Sequence, residues 1–398
     1  MPPTTPSTRR MALLLAGLAM FGPFSIDTIF PAFSQLSRSL AVDQVAIQQT
    51  ISVYLLAYGL MSIAHGPLSD AWGRKRVILG GLALFIAGSI GCALSQDLPT
   101  LLAFRALQGL SAGVGMIVGR AVIRDLFHGP DAQRLMSQVS MIFGIAPAIA
   151  PIIGGWILLS GGGWPLIFWF LVVFGLVLLI ATLTWLPETH PVEALTPLQF
   201  RRLLQDYVRI GFNPRFQRLA AAGSFNFAGI FLYIASAPVL IMQHLKLGEG
   251  DFAWLFIPTI GGMTLGSFLS GRMAGRMQPV RQIRIGFVCC GVAALPIFLA
   301  GVGMALIFPI LALAVLDMYP QQRGLASSLQ AFTQLMTNTV VAGVLSPLLS
   351  EHPRHLAIGM TGFFLLGWLF WRWERRSGRR LRHRQATEAV PLEPADHL

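Results

Sequence analysis

Apolar positions in this chain come in blocks rather than in two-residue alternation. Polar residues break them at intervals of about 20 to 25 positions. Apolar segments cover 11–33, 47–68, 77–95, 98–120, 133–158, 164–186, 218–242, 250–272, 324–349 and 355–373. In lipid, a backbone must satisfy its own polar groups, so each block predicts a transmembrane helix. One further block, Arg284 to Tyr319, has an awkward length. As one helix it would exceed ~50 Å against a hydrocarbon core of ~30 Å. As two helices, each half is barely long enough.

Charge decides between one span and two. With a cytoplasmic N-terminus and two spans, nearly all of the 29 Lys and Arg residues face the cytoplasm. Only Arg38, Lys246 and Arg354 lie outside, and Arg105 lies within the membrane. A single span would export the arginine-rich tail from Arg372 to Arg384, against the positive-inside rule. The expected fold is therefore an all-α integral membrane protein of twelve transmembrane helices. Both termini are expected in the cytoplasm, and helices 9 and 10 should be unusually short.

The polar stretch from His190 to Arg218 divides the chain into six spans and six. This predicts an N-terminal bundle over 1–189, a cytoplasmic linker over 190–217, a C-terminal bundle over 218–373 and a basic cytoplasmic tail over 374–398. Within the linker, Pro197 to Ile210 is amphipathic and suited to the membrane surface. Gly66-Pro-Leu-Ser-Asp70 after helix 2 recurs in degenerate form as Gly266-Ser-Phe-Leu-Ser270 in helix 8. Such a repeat predicts two pseudo-symmetric six-helix bundles around a central cavity.

Composition agrees: 54% of residues are apolar and 12% charged, too few charges to cover a water-facing surface. The net charge of +12 is scattered over short segments, which argues against a nucleic-acid partner. Cys92, Cys289 and Cys290 lie in apolar stretches without metal-ligand spacing, so neither a metal nor a cofactor is expected. No nucleophile and base share a depth, which disfavours an enzyme. Arg9-Arg10 could open an export signal, but the run continues past signal length, so a retained first helix is expected.

The most specific pattern is Gly66-Pro-Leu-Ser-Asp70-Ala-Trp-Gly73-Arg74-Lys75-Arg76. Gly66 permits close backbone approach, and Gly73 permits a sharp turn. Asp70 can stabilise a neighbouring helix N-terminus, the helix beginning at Gly324 being a candidate. In helix 5, Pro147 and Pro151 bend the chain, while Gly154 and Gly155 allow another helix to pack closely.

These patterns resemble the major facilitator superfamily, specifically its twelve-helix drug–proton antiporters. The Gly66–Arg76 stretch is similar to the family's cytoplasmic signature between helices 2 and 3. Leu102-Ala-Phe-Arg105-Ala-Leu-Gln108-Gly109 resembles its helix 4 signature. Ala146-Pro147 through Pro151 to Gly154-Gly155 resembles its antiporter signature, with alanine where glycine is common. Asp27-Thr-Ile-Phe-Pro31, Ile123-Arg-Asp125 and Leu186-Pro-Glu-Thr189 resemble the bicyclomycin and chloramphenicol exporter branch. The resemblance implies a cytoplasmic lock that joins Asp70, Arg74 and Asp125, and a helix 5 at the bundle interface.

Asp27 and Arg105 are the acid and the cation set deep in apolar spans, at matching depths about 10 Å from the outer boundary. A charge there is costly and marks a functional site, so the two are the proton-coupling candidates, paired or in one polar network. Phe24, Tyr54, Tyr58, Gln108, Asn226, Tyr233, Gln330, Gln334 and Asn338 are candidate cavity contacts for a small-molecule substrate. The last three repeat every four residues, a stripe that lipid does not tolerate. The expected function is proton-coupled export of small hydrophobic or cationic drug-like compounds by a monomer in the bacterial inner membrane. The alternatives are a metabolite or sugar exporter of the same fold, or a variant whose short helix 9–10 region impairs transport.

Overall fold

The computed structural model describes residues 8–190, 200–236, 239–240, 244–246, 252–292 and 297–388. Among them there is no β-strand. Six long helices form the first half: α1 Thr8–Asp27, α2 Gln44–Trp72, α3 Arg74–Leu94, α4 Leu98–Leu126, α5 Gly129–Leu159 and α6 Pro165–Trp185. Six more form the second: α7 Pro214–Ala235, α8 Phe252–Met273, α9 Pro279–Val292, α10 Ile297–Asp317, α11 Arg323–Val340 and α12 Pro353–Glu388. Helix α11 runs on through a π-helical turn, Val341–Leu345, into Ser346–Leu349.

Local chemistry sets the helix boundaries. The carboxylates of Asp43 and Asp97 accept the Ala46 and Thr100 N–H groups at 2.6 and 2.8 Å, capping α2 and α4. Those bonds from Thr100 hold the Asp97 carboxyl below its usual range. Asn213 caps α7 in the same way. Between α2 and α3 the chain reverses at Gly73 with φ +95°, where a Cβ would strike the Glu188 side chain.

Among the described residues, eight helices are each long and apolar enough to cross a membrane. Helix α5 adds a ninth as two segments bent by 44°, Gly129–Ala146 and Ile149–Leu159. The break holds Pro147, which lacks the N–H of a regular turn; its side chain lies outside the described residues. The Arg284–Tyr319 block does form two helices. Helix α9 has only 14 described residues, about 21 Å of rise, shorter than an ordinary span.

Helices α1–α6 pack chiefly on one another, as do α7–α12. Two seams join the halves, α2 against α11 and α5 against α8, with lesser contacts of α5 on α10 and of α4 on α11. Phe21, Phe85 and Phe168 fill the interior of the first half, while Val173, Val177 and Ile180 of α6 stay exposed as a lipid-facing stripe. In the linker, a helix at Phe200–Gly211 exposes Leu204 and Val208 on one face. Pro197 and Leu198 lie outside the described residues. The Tyr207 hydroxyl donates to the Ile63 carbonyl of α2, and burial pushes this phenol above its ordinary range.

Candidate functional site

The two halves are fastened at the end that carries Arg74–Arg76, called the basic face below. Asp70, in the last turn of α2, pairs with Arg74 at the start of α3. Its two oxygens also accept the Gly324 and Leu325 N–H groups at 3.2 and 2.9 Å. These are free donors of the first turn of α11, where the helix dipole favours an anion. Gly66 makes the approach possible. Its N–H donates to Ser328 Oγ at 2.8 Å, and a Cβ there would overlap the Gly324 carbonyl.

Asp125 at the end of α4 holds two guanidiniums, Arg74 at 3.1 Å and Arg323 at 2.6 Å. Arg124 pairs with Asp317 of α10, and Ser327 Oγ donates to the Ile117 carbonyl at 2.9 Å. The second seam is tied by Ser137 and Ser270, 3.0 Å apart, and beside it Gln133 donates to Gln282 of α9 at 2.8 Å. Among the described residues, the hydrogen bonds and ion pairs that join the two halves sit toward the basic face. The molecule is therefore closed at that end.

Asp27 lies where regular helix stops in α1. Pro31 has no N–H to give the Asp27 carbonyl, and the chain continues as a turn and a short 3-10 helix, Phe30–Ala32. The residue as a whole is partly exposed, and its carboxylate has no ion pair or hydrogen bond with a described residue. Arg105, fully buried, is not its partner. Its Nε donates to the Thr50 carbonyl at 3.2 Å, and Nη1 donates to the Ser25 carbonyl at 3.0 Å and to Gln108 at 2.8 Å. The guanidinium also lies 4.5 Å above the Tyr54 ring. Arg105 thus ties α1, two residues from Asp27, to α2 and α4.

The structure divides the candidate cavity residues. Tyr54 and Gln108 are fully buried in the Arg105 network, Gln108 donating to Ser89 at 2.7 Å. Phe24 is packed inside the first half, stacked on Phe174 at 5.5 Å. Asn226 is buried in the second half, accepting from Cys290 Sγ at 3.5 Å. Tyr54 and Gln108 are thus engaged between helices and Phe24 is packed, whereas Asn226 Nδ2 has no hydrogen-bond partner among the described residues. Tyr58, Tyr233, Gln334 and Asn338 stay partly exposed, and Gln330 Oε1 and Asn338 Oδ1 have no hydrogen-bond partner among the described residues. Of the paired glycines in helix 5, a Cβ on Gly154 would strike the Thr28 carbonyl just past the end of α1, whereas Gly155 faces open space. Gly154 therefore serves close packing, as does Gly144, where a Cβ would strike Met263 of α8.

Three residues escaped the sequence reading. Arg120 reads as a loop charge near the end of α4, but it is 4% exposed. Its Nε and Nη1 lack partners among the described residues, and the guanidinium lies 5.0 Å from the Phe308 ring of α10, across the gap between the halves. Arg323 and Glu188 complete the lock: the Glu188 carboxylate accepts the Arg74 N–H at 2.8 Å. Only the Leu186–Thr189 motif hinted at Glu188, and nothing local distinguishes Arg323 from a topological arginine.

Two helical halves with charged residues inside their spans, sealed at one end, are the architecture of a membrane transporter. The chain matches the Major Facilitator Superfamily over residues 13–302 and belongs to that family. It is 31% identical to "Uncharacterized MFS-type transporter YdgK" of Bacillus subtilis (strain 168) over 73% of each chain. It is 28% identical to "Multidrug resistance protein D" of Escherichia coli (strain K12), over 91% of this chain and 94% of that one. A bicyclomycin resistance protein homolog of Haemophilus influenzae shares 26% over 70% of each. Among solved structures, the human organic anion transporter MFSD10 superposes with a TM-score of 0.74 at 16% identity, covering 93% of this chain and 100% of that one. The transporter FucP, in its outward conformation, gives 0.70 at 15% identity, over 91% and 98%. These similarities establish the twelve-helix transporter fold. The chain is a multi-pass membrane transporter of the secondary type rather than an enzyme.

Proposed function

We propose that the protein is a proton-coupled exporter of small hydrophobic or cationic drug-like compounds, working by alternating access as a monomer in the bacterial inner membrane. The observation that carries this reading is Asp27, a partly exposed residue at a helix break within an apolar span, whose carboxylate has no partner among the described residues. The resistance proteins among its relatives support drug-like cargo, and the helix 5 prolines support the antiporter branch. In this reading Asp70, Arg74, Asp125, Gly66 and Gly73 gate the cycle, and Pro147, Pro151 and Gly154 shape the helix at the second seam. A metabolite or sugar exporter of the same fold is the nearest rival. The test is purified protein in liposomes carrying an internal pH dye. Addition of hydrophobic cations on the side opposite an imposed proton gradient should collapse that gradient, and sugars or polar metabolites should not. The reverse preference would sink the drug reading. Cargo flux unaffected by a protonophore would sink proton coupling. The absence of flux for every cargo would point to a transport deficit arising from the short α9.

The basic face is proposed to be cytoplasmic, from the charge asymmetry. In a background lacking Cys92, Cys289 and Cys290, Ser160→Cys should react with an impermeant maleimide on intact cells. Gln205→Cys in the linker helix should react only after lysis. Equal labelling of both without lysis would overturn the topology.

Arg120 is proposed to anchor an oxygen acceptor on the cargo from the closed end of the cavity. A hydrogen bond to a charged donor contributes ~1.5–3 kcal/mol, so Arg120→Gln should raise KM about tenfold or more for cargo with carbonyl or nitro oxygens. Cations without such acceptors should be little affected. Equal loss for both cargo types would leave Arg120 a packing residue.

A further inference from the structure

Away from the gap between the halves, α9 and α12 enclose a cavity of about 550 Å³ at the basic face, lined by Arg284, Trp368, Trp371, Arg372, Arg375 and Arg376. Four guanidiniums and two indoles meet there, and among the described residues no carboxylate lines the cavity. The nearest acid along α12, Glu374, is committed elsewhere, to Arg215 and Arg218 of α7 at 3.0 and 2.8 Å. Arg372 and Arg375 lie over the Trp368 and Trp371 rings at 4.8 and 5.2 Å. Trp371 packs on Phe287 at 5.7 Å, which brings Arg284, one turn earlier on α9, beside α12.

The surface changes character along both helices. On α12, Leu365, Leu369, Arg372 and Arg376 follow one another at helical spacing, with Leu365 and Leu369 54% and 52% exposed. On α9, Val288 follows Arg284 by one turn and is 60% exposed. Apolar side chains therefore stand directly above a ring of cations, at the level where tryptophans mark the membrane boundary. Basic pockets between helices at this depth suit acidic lipid headgroups.

We propose that this cavity binds an anionic phospholipid, with the headgroup phosphate among Arg284, Arg372 and Arg376 and the acyl chains along Val288, Leu365 and Leu369. Several guanidiniums around one cavity favour a headgroup with two phosphodiesters, which makes cardiolipin the strongest ligand. The site is independent of the identity of the cargo. A free phosphate would satisfy the arginines but not the exposed apolar strip, so the lipid is the occupant that fits both.

The test is native mass spectrometry of the full chain in detergent, titrated with cardiolipin, phosphatidylcholine or inorganic phosphate. Wild type should retain cardiolipin in preference to phosphatidylcholine, and millimolar phosphate should not displace it. Each arginine at an anionic lipid surface contributes roughly fivefold, so the triple change Arg284→Gln, Arg372→Gln, Arg376→Gln should weaken cardiolipin retention on the order of 100-fold. Arg354→Gln, at the opposite end of the molecule, should leave retention unchanged. The triple lysine variant keeps the charge and should retain cardiolipin within a few-fold of wild type. Equal retention by wild type and the glutamine triple would overturn the proposal. So would loss of the same size in the lysine triple, or displacement by phosphate.

Discussion

Proton-driven efflux by the Asp27→Asn protein should fall to the level of protein-free vesicles, while binding of uncharged cargo persists. Asparagine matches aspartate in size and keeps polar atoms at the break in α1, but it cannot titrate. The structure removes the simplest objection to this expectation, namely a static ion pair. Arg105 is engaged by carbonyls, Ser25 and Gln108, whereas Asp27 has no such partner among the described residues. A carboxylate left free at a costly depth can be occupied by a proton from one side and by cationic cargo from the other. Mutual exclusion at one group is sufficient for exchange. The same geometry changes what is expected of Arg105. Arg105→Ala should unsettle α1 and α2, lowering thermal stability together with transport, because it removes bonds that join those helices. Asp27→Asn vesicles that still release protons on cargo addition, as wild type does, would place the coupling site elsewhere.

Asp70→Lys should hold the basic face open and slow turnover far more than it weakens cargo binding. The wild-type carboxylate sits between the Arg74 guanidinium and the first N–H groups of α11. A lysine there places one cation against another and against the positive end of a helix dipole. Breaking a buried charge pair costs about 3–5 kcal/mol, enough to move a two-state population by a factor of a hundred or more. Spin labels at Lys75 and Gln321, on opposite halves of the basic face, would report the change as a shift toward longer distances. Asp70→Asn, which keeps an acceptor for α11, should shift the population less. An unchanged distance distribution and unchanged turnover in Asp70→Lys would reduce the motif to a turn.

Most of the fold was legible in one dimension. Lipid requires each span to satisfy its own backbone, so hydropathy located most helix ends to within about seven residues, but α12 runs on to Glu388, well past the end expected at 373 and into the stretch read as a tail. The charge asymmetry split the Arg284–Tyr319 block into two, which the structure shows as α9 and α10. The contact of Asp70 with the start of α11 was legible for a different reason, while the shares of Arg74 and Asp125 came only from the family resemblance. Gly66, Asp70 and Gly73 each have a local requirement, and Gly324 was the helix start within reach of an acid there.

What the sequence could not decide was which polar groups meet. Asp27 and Arg105 share a depth, but depth fixes only one coordinate, and rotation about the helix axes turns the guanidinium toward Ser25 and Thr50 instead. The same missing rotation hid the difference between Gln108, enclosed by Ser89 and Arg105, and Gln334, left partly exposed. Arg120 looked like a loop charge because spacing along a chain does not reveal that α10 packs across the end of α4. Hydropathy and charge belong to single residues and survive in any arrangement of the helices. The partners of a buried polar group depend on how two halves far apart in sequence rotate and dock, and only the tertiary structure fixes that.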